Sequence, residues 1–347
     1  MVAQKLKWQD PLEQKVLVVQ GKLPTMTTNS FQRLPDDIEQ EVRPPVWSLS
    51  RQNAGLYIEF VTNAEAITIR YQVSEPVDMP HMPATGVSGL DLYAKNINGS
   101  WDWAAGSYRF GDTISYRFNN LSVSKEEKFR LYLPLYNSVT WMEIGVKADA
   151  DLRFLTSPKE NPIVVYGTSI AQGACASRPG LAWTSILGRQ LDLPIINLGF
   201  SGNGQLEQPL IELISTIDAR MFILDCMPNL TVGSFPEKEI EERIKYSVAH
   251  LKSKHPNTPI LLTEHSGGAT DQIIDTARSS NYRYTSKIIR RVYTNLVRDG
   301  VKGIYLLEAK AISMGTESTV DGIHPNDIGM MQHATAYRNM ITSIFNR

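Results

Sequence analysis

The sequence is poor in cysteine, in net charge and in long apolar runs, and each shortage excludes a class of protein. Its 347 residues include two cysteines, Cys175 and Cys226, which are too few for a disulfide framework. We expect both to be unpaired, buried small residues. The net charge is −1 and no dense cluster of lysine and arginine occurs, so no nucleic-acid partner is expected. No apolar run approaches the roughly 20 residues of a membrane-spanning helix, so we expect no membrane span.

The N-terminus carries no signal-peptide pattern. Residues 1–10, MVAQKLKWQD, lack the apolar core of such a leader. Either the protein is cytoplasmic, or a leader was removed before this numbering begins. The chain length predicts two domains, because one domain usually takes about 100–200 residues.

Apolar residues recur at every second position from about residue 16 to residue 150. Successive side chains of a strand point to opposite faces, so this period is typical of half-buried strands. Turn-like segments such as 62–64 and 96–99 separate the rows, which favours an all-β sandwich of jelly-roll-like type. The rows are Leu56, Ile58, Phe60; Ile67, Ile69, Tyr71, Val73; Phe129, Leu131, Leu133, Leu135; and Met142, Ile144, Val146, Ala148.

From about residue 160 the pattern changes to short apolar runs that alternate with helical segments. The runs lack alternation, as expected of parallel strands that are buried on both faces. Between them, Ile240, Ile244, Val248 and Leu251 fall on one helix face, and a last helix is predicted to begin near Pro325. This order predicts an α/β domain with a parallel sheet. The runs cover residues 163–166, 195–198, 221–224, 260–262 and 303–307.

A polar stretch with two prolines, residues 157–162, separates the two patterns. We therefore predict an N-terminal β-sandwich domain over residues 1–157 and an α/β domain over residues 158–347. In open parallel sheets, ligands bind outside the carboxyl ends of the strands. The residues that directly follow the apolar runs of the second domain are therefore the candidates for chemistry.

Three short segments follow the first three runs. Ser169 lies in YGTSIAQG after the first run, where its hydroxyl and its own N–H can face one pocket. The segment is not the G-x-S-x-G nucleophile elbow, because Ala171 replaces the second glycine. Gly202 follows the second run and Asn229 the third, and each is placed to donate an N–H to a developing oxyanion. Taken alone, each segment is also typical of a structural turn.

The fourth segment, DGIHP, gives the most specific local signal. His324 can take a proton from a serine near neutral pH. Asp321, three residues earlier, can reach the other ring nitrogen and fix the tautomer. The alternative interpretation is that Asp321 caps the last helix and His324 lies on the surface.

In this order and spacing, the four segments resemble the SGNH, or GDSL-type, hydrolases. The resemblance implies a three-layer α/β/α, flavodoxin-like fold and a serine ester hydrolase that needs no metal or cofactor. Ser169 matches the block I serine, Gly202 the block II glycine, Asn229 the block III asparagine, and Asp321 and His324 the block V pair.

Two positions depart from the family's motifs, and a second motif supports the resemblance. Thr168 stands where the name-giving aspartate would be, and Leu230 follows Asn229 where an aspartate is usual. Upstream, residues 89–93, GLDLY, look like the G-x-D-L-Y motif of an N-terminal β-domain found before some SGNH domains. Together the two resemblances cover nearly the whole chain.

The resemblance also implies a mechanism and a substrate class. Ser169 is the expected nucleophile, His324 the base and Asp321 the carboxylate that orients it. The N–H groups of Ser169 and Gly202, with the amide of Asn229, form the expected oxyanion hole. The expected substrate is a small-molecule or glycan ester that carries a short acyl group such as acetyl. Similar enzymes are bacterial and often exported, which favours a periplasmic or secreted protein whose leader is removed.

Alternative functions stay open at this point. A metal hydrolase would use Glu264 and His265, with His324 and Asp321 at the same edge of the sheet, although the Glu264-His265 pair does not match a known ligand spacing. A lipase or thioesterase of the same family would use the same serine. A carbohydrate-binding or interaction protein with a decayed hydrolase domain would rely on aromatic residues of the β-domain, such as Trp101 and Trp103. Asp91 of the upstream motif can either pair with an arginine or help to close the pocket, and we favour the structural role.

Overall fold

The computed structural model describes residues 5–122, 126–267 and 276–346. Their contacts divide the chain into two compact units. The first unit comprises the residues up to Leu34, Arg51–Lys159 and Ser177–Gly180. The second comprises Pro35–Ser50, Glu160–Ala176 and the chain from Leu181 onward. The domain boundary after residue 157 stays a prediction.

The elements before residue 160 are mostly short strands. All the strands belong to the first unit, and the helix α1 belongs to the second. In chain order they are β1 (Leu6–Gln9), β2 (Val19–Gln20), α1 (Pro44–Ser50), β3 (Tyr57–Thr62), β4 (Ile67–Val73), α2 (Ala84–Val87), β5 (Asp91–Lys95), β6 (Trp101–Ala104), β7 (Ser107–Arg109), β8 (Ile114–Phe118), β9 (Glu127–Tyr132), β10 (Val139–Lys147) and β11 (Leu152–Phe154).

The first unit is a sandwich of two antiparallel sheets, which confirms the fold expected from the alternating rows. One sheet has the order β1-β10-β4-β8-β7, and the other has the order β11-β3-β9-β5-β6 with β2 paired to β3. Alternate residues face the space between the sheets: Ile58 and Phe60 of β3 and Ile69 of β4 are fully buried there. Tyr57 of β3 and Tyr93 of β5 pack in a separate small cluster. Each is adjacent in sequence to a residue of the main core, so its side chain points to the other face of the sheet.

The second unit contains the parallel sheet and most of the helices. In chain order its further elements are β12 (Ile163–Gly167), α3 (Ser169–Gln172), α4 (Trp183–Leu191), β13 (Ile195–Gly199), α5 (Gln208–Ile214), β14 (Met221–Asp225), α6 (Glu237–Lys254), β15 (Ile260–Thr263), α7 (Thr276–Arg298), β16 (Ile304–Leu307), α8 (Ala309–Ile312) and α9 (Asp327–Phe345).

The strand order β13-β12-β14-β15-β16 is the 2-1-3-4-5 order of flavodoxin-like folds. Helix α4 packs on α9, while α5, α6 and α7 pack in sequence against one another. The unit is therefore a three-layer α/β/α domain, as expected. All five strands end at the same edge of the sheet, so the turns that follow them share this edge.

One local feature differs from the sequence-based expectation, and a second refines it. The helix α1 lies within the part of the chain that was interpreted as strands, and it begins at the proline pair Pro44-Pro45. The last helix begins at Asp327, near Pro325 as predicted, and the side chain of Asn326 caps it by accepting hydrogen bonds from the N–H groups of Ile328 and Gly329.

Two expectations from composition can also be compared with the structure. Cys175 and Cys226 are both buried and unpaired, as expected. In the part of the chain that the structure describes, no helix combines the length and the apolar character that crossing a bilayer needs.

Candidate active site

Ser169 stands at the carboxyl end of β12, where the strand passes directly into the four-residue helix α3. Thr168 precedes this helix, and its hydroxyl accepts a hydrogen bond from the N–H of Ile170 at 3.4 Å. A helix cap needs a short side chain with an oxygen acceptor, and threonine supplies one as aspartate would. Thr168 can therefore occupy the position of the family's aspartate without loss of the cap.

Glycines allow the neighbouring turns to pack backbone against backbone beside Ser169. A Cβ at Gly199 would lie 2.2 Å from the backbone nitrogen of Gln172. A Cβ at Gly204 would lie 2.2 Å from the carbonyl oxygen of Gly167. Such separations are impossible for real atoms, so the turn after β13 can approach the turn after β12 only with glycine at these positions.

The structure brings Ser169, His324 and Asp321 together in one hydrogen-bonded row. The Ser169 Oγ lies 2.9 Å from His324 Nε2. His324 Nδ1 lies 2.6 Å from Asp321 Oδ2. The other carboxylate oxygen, Oδ1, accepts the backbone N–H groups of Ile323 and His324 at 3.0 and 2.8 Å. The row has the geometry in which a base can take the serine proton while a carboxylate orients the base.

Local hydrogen bonds keep the Asp321 carboxylate ionised. Partial burial acts to raise its pKa, but the hydrogen bonds from the His324 ring and from two backbone N–H groups outweigh that effect. The net pKa of Asp321 therefore lies below the ordinary value of an aspartate. An ionised carboxylate accepts the proton on Nδ1, which leaves Nε2 of His324 as the basic nitrogen that faces Ser169.

The loop that carries Asp321 and His324 is closed on itself. The N–H of Val320 donates to the carbonyl oxygen of His324 at 3.0 Å, and Thr319 bridges to Pro325. Gly322 takes a left-handed φ of 86° at the tip. The structure therefore does not support the interpretation of Asp321 as the cap of the last helix, because Asn326 occupies that position.

The two predicted accessory donors follow the neighbouring strands. Gly202 has a φ of 69°, and no atom lies within 4 Å of the position that its Cβ would take. The Oδ1 atom of Asn229 accepts the N–H of Gly204 at 3.1 Å. This bond fixes the orientation of the Asn229 amide and leaves its NH₂ group as the donor end. The roles of Gly202, Asn229 and the Ser169 N–H in an oxyanion hole stay predictions.

Asp225 is a buried carboxyl group at this edge of the sheet, and the sequence did not identify it as a candidate functional residue. Asp225 is the last residue of β14. Burial raises its pKa to about 6, although a hydrogen bond from Tyr337 acts to lower it. The Tyr337 hydroxyl oxygen also lies within hydrogen-bonding distance of Thr263 Oγ1, at 3.0 Å, and the Tyr337 ring stacks on Trp183 with centroids 4.2 Å apart. The sequence feature that points to this buried carboxyl group is an aspartate that directly follows the four apolar residues of a buried run. Its partners come from distant segments, so the sequence could not reveal them.

The pair Glu264-His265, considered above as metal ligands, has other partners. Glu264 forms an ion pair with Arg290 at 2.6 Å and accepts the N–H of Ala309 at 3.0 Å. The ring of His265 stacks on Tyr282. Within residues 5–122, 126–267 and 276–346, no group of three or more His, Cys, Asp and Glu side chains is placed to hold a metal ion.

In the first unit, Asp91 of the GLDLY motif accepts three hydrogen bonds. Its donors are the Arg178 guanidinium at 2.5 Å, the Gly180 N–H at 2.9 Å and the Trp103 indole N–H at 2.5 Å. The favoured pairing of Asp91 with an arginine is thus present, and the arginine is 87 residues away. The ring of Trp103 is 50% exposed and lies under the Arg178 guanidinium, so this tryptophan is not a core residue.

Comparison with known families gives two matches that together cover most of the chain. Residues 160–342, more than half of the chain, match the model of the GDSL-like Lipase/Acylhydrolase family. Residues 6–152 match the model of the N-terminus of SGNH-hydrolase-type esterases, which is defined by the GxDLY motif. No curated protein sequence matches the chain significantly.

Several solved structures have a similar fold. A GDSL-like lipase from Bacteroides ovatus is 34% identical, with a TM-score of 0.89, and the match covers 99% of this chain and 98% of the other. The salicylyl-acyltransferase SsfX3, from a tetracycline biosynthetic pathway, is 18% identical with a TM-score of 0.77 and 98% coverage of both chains. A family two carbohydrate esterase from Cellvibrio japonicus is 12% identical with a TM-score of 0.58 and 99% coverage of both.

The family matches, the 34% identity over nearly the full length and the observed fold agree with one another. They also agree with the resemblance inferred from the motifs. The chain therefore belongs to the GDSL-like lipase/acylhydrolase family, with the N-terminal domain of SGNH-type esterases, and is a carboxylic ester hydrolase.

Proposed function

We propose that this protein is a serine esterase that removes short acyl groups, such as acetyl, from carbohydrate esters. The observation that carries the catalytic part of the proposal is the row from Ser169 Oγ through the His324 ring to Asp321, with separations of 2.9 and 2.6 Å. Nucleophile and base are within hydrogen-bonding reach, and a third group orients the base, which is the arrangement that activates a serine.

In the proposed reaction, Ser169 Oγ attacks the ester carbonyl carbon while its proton passes to His324 Nε2. Asp321 stabilises the cationic imidazole that results. The carbonyl oxygen becomes an oxyanion, which accepts hydrogen bonds from the N–H groups of Ser169 and Gly202 and from the Asn229 amide. The proton on His324 then passes to the leaving alcohol. Water, activated by His324 in turn, hydrolyses the acyl-enzyme and restores the serine.

The carbohydrate part of the proposal is supported by the relatives with a similar fold. A family two carbohydrate esterase has a similar fold over 99% of both chains, although at 12% identity this likeness shows the fold alone. A binding protein with a decayed hydrolase domain is less well supported, because it leaves the aligned serine, histidine and aspartate without a purpose.

The nucleophile can be tested by the substitution Ser169→Ala. We expect hydrolysis of 4-nitrophenyl acetate to fall by about 10⁴-fold or more, and labelling by a fluorophosphonate to disappear. Ser201→Ala is the matched control, because Ser201 is another serine at the same edge of the sheet and should retain both activities. Thermal melting of both variants checks the fold. Full activity of Ser169→Ala would refute the assignment.

The acyl specificity can be tested with a series of 4-nitrophenyl esters from acetate to decanoate, together with acetylated xylan and an acyl thioester. We expect kcat/KM to be highest for acetate and acetyl release from the glycan to be measurable. A preference for decanoate would support the lipase alternative. A preference for the thioester would support the thioesterase alternative.

A further inference from the structure

The turn after β13, which comprises residues 200–204, uses most of its backbone N–H groups in hydrogen bonds. The N–H of Phe200 donates to the carbonyl oxygen of Gly167 at 3.0 Å, and the N–H of Asn203 donates to the carbonyl oxygen of Phe200 at 2.8 Å. Among the residues that the structure describes, none accepts the N–H of Gly202, which is an exposed residue. The turn therefore offers this one backbone donor to a ligand.

The two remaining N–H groups of the turn donate to side chains from other segments. The N–H of Ser201 donates to Gln172 Oε1 at 2.9 Å. The N–H of Gly204 donates to Asn229 Oδ1 at 3.1 Å. These bonds lie on either side of Gly202 in the sequence, so the backbone is held both before and after the unengaged donor.

Gln172 connects this turn with the helix that begins at Ser169. It is the last residue of α3, and its side chain is fully buried. Since a backbone N–H donates to it, the Oε1 atom is the acceptor end of the amide. Ser201 directly precedes Gly202, so one buried side chain links the helix that contains Ser169 to the residue before Gly202.

Asn203 acts on the same part of the turn from the carbonyl side. Its Nδ2 atom donates to the carbonyl oxygen of Ser201 at 2.8 Å. This carbonyl and the N–H of Gly202 belong to one planar trans peptide unit, in which they point in opposite directions. A bond that holds the carbonyl therefore also fixes the direction of the Gly202 N–H.

Gly202 depends on these bonds because it has little packing of its own. No atom lies within 4 Å of the position that its Cβ would take, and glycine restricts its own backbone less than any other residue. A donor that is fixed before the oxyanion forms needs no reorganisation at the moment of reaction, which is the basis of its contribution to catalysis. The restraint on the Gly202 N–H must therefore come from the residues on either side.

We propose that Gln172 and Asn203 are positioning residues that hold the Ser201–Gly202 peptide, so that the Gly202 N–H is directed at the oxyanion before the oxyanion forms. This inference rests on the proposed function, and it adds two residues that lie outside the matched family motifs. Neither side chain is required to contact the substrate, because each acts through the backbone of the turn.

The substitution Gln172→Met tests the inference, because it keeps the length of the side chain and removes the acceptor. Loss of a whole oxyanion donor typically lowers kcat by about 10²- to 10³-fold. Here the donor is displaced rather than removed, so we expect kcat for 4-nitrophenyl acetate to fall about 10- to 100-fold, with little change in KM.

The thiono analogue of the same ester, in which sulfur replaces the carbonyl oxygen, separates positioning from general structural damage. Sulfur is a weak hydrogen-bond acceptor, so hydrolysis of the thionoester depends less on the oxyanion donors. We expect Gln172→Met to slow the thionoester less than the ester. The ratio of kcat/KM for the ester to that for the thionoester should fall by about 3-fold or more.

A second variant and a matched control complete the experiment. Asn203→Leu removes the Nδ2 donor at a partly buried position, and it should lower the same ratio even if Gln172→Met does not fold. Gln190→Met is the control, because it makes the same substitution at an exposed position of α4. It should change neither kcat nor the ratio, and thermal melting of all three variants checks the fold.

Two results would overturn the inference, and both differ from failure of the proposed function. If the folded variants Gln172→Met and Asn203→Leu slow the ester and the thionoester by the same factor, the two side chains have a structural role alone. If they keep the wild-type kcat, the Gly202 N–H does not depend on them. If the wild-type protein hydrolyses neither substrate, the proposed function itself fails.

Discussion

Gly202 and Gly204 are two residues apart in the same turn, yet an added methyl group would meet different surroundings at each. At Gly202 no atom lies within 4 Å of the new Cβ, although the φ of 69° is unfavourable for alanine. At Gly204 the new Cβ would overlap the Gly167 carbonyl oxygen at 2.2 Å. The first position therefore tolerates a side chain at the cost of local strain, and the second does not.

We predict that Gly202→Ala keeps at least a tenth of the wild-type kcat, because its N–H donor is retained, and loses about 1–2 kcal/mol of stability. Gly204→Ala should displace the turn from Gly167 and break the bond from Gly204 to Asn229. It should therefore lose most activity and melt at a lower temperature than Gly202→Ala. Equal behaviour of the two variants in activity and melting assays would contradict the packing described here.

Asp225 predicts a specific dependence of stability on pH. Its folded-state pKa of about 6 lies above the ordinary value of 3.8, so the folded protein binds the proton more tightly than the unfolded chain. Asp225 therefore destabilises the fold increasingly as pH rises from about 4 to 6, and by a constant amount above that.

Asp225→Asn removes this ionisation and keeps the shape of the side chain. At pH 8 we expect the variant to be more stable than the wild type by up to about 3 kcal/mol, and the advantage should disappear near pH 4. Denaturant unfolding of both proteins from pH 4 to 8 measures the difference. An advantage that does not change with pH would show that the carboxyl group does not titrate in this range.

Among the elements, the start of α9 has the closest connection to the candidate base. Asn326 lies two residues beyond His324, caps α9 through Ile328 and Gly329, and donates its own amide to the carbonyl oxygen of Glu317 at 2.7 Å. One side chain thus joins the helix, the loop before it and the segment 316–318.

Asn326→Ala should cost about 1 kcal/mol of stability through the lost cap. Because the freed loop carries His324, we expect kcat to fall more than KM rises, by about 3- to 10-fold. Asn339→Ala, at an exposed position of the same helix, is the control and should change neither. A loss of stability without any change in kcat would separate the cap from the site.

The elements were predictable where a single pattern decides them. The buried runs ending at Gly167 and Gly199 were recognised because strands that are covered on both faces need continuous apolar sequence. The helix α1 does not follow from the sequence pattern, because its seven residues, which include a proline pair and a tryptophan, show no clear helical period. The start of α9 is predictable to within two residues, because Pro325 and Asn326 are both good residues for a helix start and only the structure shows which one caps.

For the whole molecule, most contacts between residues that are distant in sequence could not be predicted from the sequence. The motifs predicted that Ser169 and His324 would share an edge of the sheet, although 155 residues separate them. Motifs predict such a long-range contact only when they match the motifs of a known family. The partner of Asp91 could be predicted as an arginine but not as Arg178, and the half exposure of Trp103 follows from that pairing rather than from strand period.

Asp91 allows a prediction for the stability of the first unit. Removing its charge leaves the partly exposed Arg178 guanidinium without its carboxylate, while burial raises the pKa of Asp91 despite this pairing, so we expect a modest loss of about 1 kcal/mol. We expect Asp91→Asn to increase hydrogen exchange in peptides of β5 and β6. Asp149→Asn breaks the exposed pair with Lys147 and should leave exchange nearly unchanged. Equal exchange in the wild type and Asp91→Asn would show that the pair is not a stabilising contact.

The short loop from Thr319 to Pro325 holds both the imidazole and the carboxylate that orients it. Since this loop is closed by its own hydrogen bonds, a shift of the loop carries both groups together and leaves their mutual geometry unchanged. The assembly of the row then requires the loop to be placed so that His324 Nε2 lies within hydrogen-bonding distance of Ser169 Oγ, here 2.9 Å. The loop could therefore be transferred as one unit to another protein. If its ends were placed correctly beside a serine, it would supply the base and the orienting carboxylate together, already in their mutual geometry.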